Sequence, residues 1–74
     1  MKFEFNKTTS DYIIEQAGFT DEEVTIFLLK RRGFSIVQIA LELHTSTSTI
    51  DRRISSIKRK IDSVIPLPKN QLNN

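Results

Sequence analysis

Apolar residues recur at helical spacing in four stretches of this chain, separated by short polar breaks. Ile13, Ile14 and Ala17 mark the first, and Val24, Ile26, Phe27, Leu28 and Leu29 the second. Ile39, Ala40 and Leu43 are the core positions of the third. Ile50, Ile54, Ile57 and Ile61 form the fourth, at the three-or-four-residue interval that brings side chains back to one helix face. The spacing predicts four helices, Ser10–Ala17, Asp21–Arg32, Ile36–Leu43 and Thr47–Val64. Residues 1–9 alternate around Phe3 and Phe5, a pattern that fits a short strand, an ordered arm or a frayed end. Pro66 and Pro68 stop the last helix and leave residues 66–74 as a flexible, extended tail. The expected fold is therefore a small all-α, four-helix domain over residues 10–65, with an N-terminal arm and a C-terminal tail.

The breaks have their own chemistry. Gly18-Phe19-Thr20 leads to Glu23 and Val24, and Gly33-Phe34-Ser35 leads to Gln38 and Ile39, so one signal occurs twice. Glycine past a helix end adopts a left-handed conformation without a Cβ clash. Thr or Ser then caps the next helix by accepting from a free backbone N–H, and Glu or Gln three residues on reciprocates. The apolar pair on either side of the cap forms a hydrophobic staple. A third start at Ser46 carries Thr49 and Ile50 at the corresponding positions and is a degraded copy. His44 falls in the turn before it, where a left-handed conformation is expected.

The second helix is apolar on more than one side, so we expect it to be central, flanked by the first helix and by the last two. The third is short, and only three residues (His44, Thr45 and Ser46) separate it from the long fourth. A short helix, a tight turn and a longer helix make a helix-turn-helix arrangement.

At about 100° per residue, Ile54, Ile57 and Ile61 fall within about 40° of Ile50, giving one narrow buried stripe. Opposite lie Ser48, Arg52, Ser55, Ser56 and Arg59, all hydrogen-bonding residues. One flank holds Thr49, Arg53 and Lys60; the other holds Asp51, Lys58 and Asp62. Such a helix suits the DNA major groove. Arginine pairs bidentately with guanine, and Ser and Thr reach bases or phosphates. Arg53 and Lys60 are placed for the backbone, where most affinity arises. Asp51 is placed to accept from a cytosine amino group, to pair with Lys58 or to penalise wrong sites.

Charge supports this reading. Residues 1–29 carry two lysines against six acids, a net of −4, whereas residues 30–74 carry nine bases against three acids, a net of +6. With a pI near 9.2, the second half is the part expected to meet an anion. Cysteine is absent, which removes thiolate chemistry and points to a cytoplasmic protein. A single histidine and scattered carboxylates offer no catalytic or metal-binding constellation, so no enzyme, cofactor or metal is expected. The longest apolar run, Ile26 to Leu29, is too short to span a membrane.

The segment from Phe19 to Ile61 resembles the LuxR-type helix-turn-helix family, whose pattern is G-x-S-x-x-E-I-A-x-x-L-x-I-S-x-x-T-V-x-x-x-(I/V)-x-x-I-x-x-K-L. Here it reads Gly33, Ser35, Gln38, Ile39, Ala40, Leu43, Ser46, Thr49, Ile50, Ile54, Ile57, Lys60 and Ile61, without a gap. Phe19 to Val24 is loosely similar to that family's L-T-x-R-E-x-E-V opening. The DNA-binding region of bacterial sigma factors is nearly as similar. The resemblance implies base reading by Asp51, Arg52 and Ser55 and a backbone contact from Thr49. The chain departs from the pattern at Thr45 and Lys58, which replace apolar residues. It also runs into Pro66 where the family has a fourth helix that commonly mediates dimerisation.

The expected function is sequence-specific double-stranded DNA binding by a bacterial or phage transcription regulator. Helix 47–64 reads the major groove through Ser48, Thr49, Asp51, Arg52, Arg53, Ser55, Ser56, Arg59 and Lys60. A module of 8.6 kDa is expected to act as a homodimer on two half-sites, through its N-terminal arm and first helix. The alternative is a protein-binding module that mimics a sigma-factor DNA-binding region and docks on RNA polymerase or another regulator.

Overall fold

A computed structural model describes residues 5–65. These residues form four helices in the order α1 (Lys7–Gln16), α2 (Asp21–Arg31), α3 (Ile36–Glu42) and α4 (Thr47–Val64). The expected tail at residues 66–74 and residues 1–4 of the expected arm lie outside the described residues.

Helix α1 begins three residues earlier than its apolar pattern indicates. Asn6 is the N-cap, and its side-chain oxygen accepts from the Thr9 N–H at 2.7 Å. Lys7 to Thr9, read from sequence as part of the arm, are therefore helical. Ser10, expected at the helix start, instead sits inside it, and its side chain turns into the core. An asparagine followed by three polar residues shows no apolar periodicity, so only the cap itself marks this beginning.

Both doubled start signals do what their chemistry predicts. Thr20 Oγ1 accepts from Glu23 N and Glu23 Oε1 accepts from Thr20 N. Ser35 Oγ accepts from Gln38 N and Gln38 Oε1 accepts from Ser35 N. Helix α2 ends in a Schellman motif, with Gly33 at φ 97° and the Phe34 N–H bonded to the Leu29 carbonyl. Helix α4 ends at Val64, and Ile65 before Pro66 leaves the helical region at φ −114° and ψ 85°, as the residue preceding a proline is disfavoured there.

The core contains Ile13, Ile26, Phe27, Ile39, Ala40, Ile50, Ile54, Ile57 and Ile61. Phe27 is its centre: the Phe5 ring stacks on it at 6.2 Å and the Phe19 ring tilts against it at 5.5 Å. Arg31 Nε donates to the Phe5 carbonyl and ties the chain preceding α1 to α2. The central element is α4 rather than α2, because α4 packs on all three other helices. Its four buried isoleucines run over much of the longest helix, so one stripe serves every neighbour. The second apolar side of α2 is only partly used, and Leu28 stays exposed.

Candidate nucleic-acid interface

The turn that launches α4 is built from backbone bonds. His44 has φ 55°, its N–H donates to the Leu41 carbonyl, and the Thr45 N–H reaches back to Ala40 at 2.9 Å. This is a Schellman motif with histidine in the position usually held by glycine. Ser46 follows as N-cap. Its Oγ accepts from Thr49 N at 3.1 Å and donates to Thr49 Oγ1 at 3.0 Å. Ile39 and Ala40 of α3 and Ile50 of α4 are buried together, which fixes how α4 leaves the turn.

The polar surface of α4 divides into two regions. Ser48, Asp51, Arg52, Ser55 and Arg59 are exposed, and none makes a hydrogen bond or ion pair among the described residues. They share one side of the helix, with exposed Asp62 and half-buried Lys58 along its edge. The other region is committed to α2. Arg53 Nε donates to Glu22 Oε1 at 2.6 Å. Ser56 Oγ donates to Glu23 Oε2 at 2.8 Å. Lys60 Nζ donates to Glu23 Oε1 at 2.6 Å and to the Gly18 carbonyl at 3.3 Å. Thr49 lies half-buried on the same flank.

Of the nine residues expected to face DNA, five thus present free side chains. Ser56 was read as part of the outward face, and it is half-buried because Glu23 draws it toward α2. Arg53 and Lys60 lie on the expected flank, but their first partners are carboxylates of this chain. Glu22 and Glu23 are the functional neighbours that sequence reasoning missed. Glu23 was assigned only to its capping box. That box uses only Oε1, which Lys60 shares, and Oε2 is left to Ser56, so both oxygens also meet α4.

Glu23 is 4% exposed. Burial by itself pushes its carboxyl up. The Lys60 ammonium, the Thr20 N–H and the Ser56 hydroxyl outweigh burial and bring the pKa down from 4.5 to about 2. The carboxylate is therefore charged at any ordinary pH. It lies in the first turn of α2 with Asp21 and Glu22, where the helix dipole favours negative charge.

Among the described residues no three His, Asp or Glu side chains group as metal ligands, and no helix is long and apolar enough to cross a membrane. No protein-family model, curated protein or solved structure matches the chain.

Proposed function

We propose that this protein binds double-stranded DNA and regulates transcription, acting as a binding protein and not as an enzyme. One observation carries the reading. Ser48, Asp51, Arg52, Ser55 and Arg59 form a polar side without partners among the described residues, on a helix that follows a four-residue turn and is anchored by four buried isoleucines. A rigid helix with unspent hydrogen-bonding groups on its outer side is what major-groove reading requires. The similarity of residues 19–61 to LuxR-type domains agrees with it. In this reading Arg52 is the principal base contact, Ser55 and Asp51 refine the choice, and Ser48, Arg59 and the Thr49 hydroxyl meet the backbone. The protein acts in the cytoplasm as a homodimer on two half-sites, since a single small module gives modest affinity.

The test is selection of random duplex DNA on the purified protein at moderate salt, followed by Arg52→Ala on the enriched sequence. The expected result is a two-fold-symmetric motif and a loss of about 1–3 kcal/mol that relaxes preference at one base pair. Absence of enrichment, or enrichment with Arg52→Ala neutral on the enriched sequence, refutes the reading.

A second reading draws on α3. Val37 and Leu41, one turn apart, are 57% and 70% exposed. Apolar side chains beside a helix-turn-helix favour a protein partner, such as RNA polymerase or another regulator. That reading takes over if Val37→Ser with Leu41→Ser abolishes function in cells while DNA binding persists.

A further inference from the structure

The two cations on the inner flank of α4 are not equivalent. Lys60 is paired with a carboxylate whose side chain is only 5% exposed. Breaking that pair leaves Glu23 buried and short of its cation, a costly state. Lys60 also holds the Gly18 carbonyl, so it closes the α1–α2 connection onto α4. The Arg53–Glu22 pair is different. Both side chains are 44% exposed, and a single contact through Nε joins them. Among the described residues the terminal guanidinium nitrogens make no hydrogen bond, and Glu22 has no other side-chain hydrogen-bond partner. An ion pair open to water on both sides is weak and readily exchanged.

Arg53 stands one helical turn from Ile57 and Thr49, on the α2-facing flank, next in sequence to Arg52 and about 100° around the helix from it. A phosphate there would compete with Glu22 for the same guanidinium. We infer that Arg53 is a phosphate-contacting side chain whose availability is set by Glu22, whereas Lys60 is reserved for holding α2 to α4. The inference rests on the DNA reading above and adds a residue outside the presumed recognition surface, Glu22, that sets affinity. Glu22 acts as an internal stand-in for phosphate. It lowers binding to all sequences alike and so leaves discrimination to Arg52 and its neighbours.

The experiment is fluorescence anisotropy with the full chain and a labelled mixed-sequence duplex two helical turns long, titrated at several salt concentrations. Glu22→Gln is expected to tighten binding roughly fivefold at low salt. It should steepen the log–log salt dependence by about one ion per chain. In an Arg53→Gln background the same change should have no effect, because no guanidinium remains to release. Equal tightening in both backgrounds would show general repulsion by Glu22 and overturn the inference, as would no tightening in either. Lys60→Gln completes the set: unchanged salt dependence with a lowered melting temperature, or loss of the fold, agrees with its structural role. A shallower salt dependence in a folded Lys60→Gln protein overturns the division between the two cations. If neither the wild-type chain nor Glu22→Gln binds the duplex at low salt, the DNA reading itself fails and takes this inference with it.

Discussion

His44 adopts φ 55° in the turn between α3 and α4, a conformation that costs an L-residue about 1–2 kcal/mol. Histidine is tolerated because it is exposed there and its backbone N–H is bonded. His44→Gly is therefore expected to stabilise the fold by about 0.5–1 kcal/mol, and His44→Val to destabilise it by more than that. Urea denaturation of the two variants checks both signs. Glu23 gives a pH prediction. Its folded value of about 2 lies below the ordinary 4.5, so its contribution is present above about pH 5 and is lost as pH falls toward 2. The shift corresponds to roughly 3 kcal/mol at most. Thermal melts should decline over that window in the wild type and much less in Glu23→Gln. Ser10 is a third case: its hydroxyl is buried without a hydrogen-bond partner among the described residues. Ser10→Ala should raise the melting temperature, since an unsatisfied buried hydroxyl is removed at almost constant volume.

At the scale of elements, short-range chemistry sets where each helix starts and stops. Helix α3 has seven residues, too few to be stable alone, and it persists because its ends are capped and Ile39 and Ala40 are buried. Its capping box and the Schellman motif on its far side place α4 at a defined angle. The isoleucine stripe of α4 then supplies most of the packing. Ile57 is fully buried, and Ile57→Ala is expected to cost about 2–5 kcal/mol. In a chain this small, that is enough to populate the unfolded state visibly by circular dichroism at room temperature. Substituting Ser55, on the opposite side of the same helix, should leave stability nearly unchanged.

For the whole molecule, the decisive quantity is how much positive charge α4 presents to its surroundings. Five bases lie on it, Arg52, Arg53, Lys58, Arg59 and Lys60, and α2 takes up two of them. Asp51 and Asp62 offset part of the remainder. Helix α4 therefore has few cations left for phosphates. The expected salt dependence is shallow, with a log–log slope near −3 per chain and roughly twice that for a dimer on two half-sites. Light scattering of the protein–duplex complex, read beside the slope, distinguishes one bound chain from two. A monomeric complex with the shallow slope would remove the homodimer from the proposal and keep the DNA contact.

Much of this organisation was legible in sequence. The order of the four helices, the two capping boxes, the left-handed turn at His44 and the buried isoleucine stripe all follow from residues within five positions of one another. Local hydrogen bonding and helical periodicity are enough to specify them. The start of α1 escaped because Asn6 caps a turn with no apolar pattern. The division of the α4 surface also escaped, for a different reason. On a helical wheel, Arg53, Ser56 and Lys60 look the same whether water or a carboxylate lies opposite. Their partners Glu22 and Glu23 stand 31 to 37 residues away in the chain. Only the packing of α2 along α4 brings them within 3 Å. Sequence by itself thus determined which faces are apolar and where the chain turns, because those depend on near neighbours. Tertiary structure alone decided which charges are paired inside the molecule and which stay exposed.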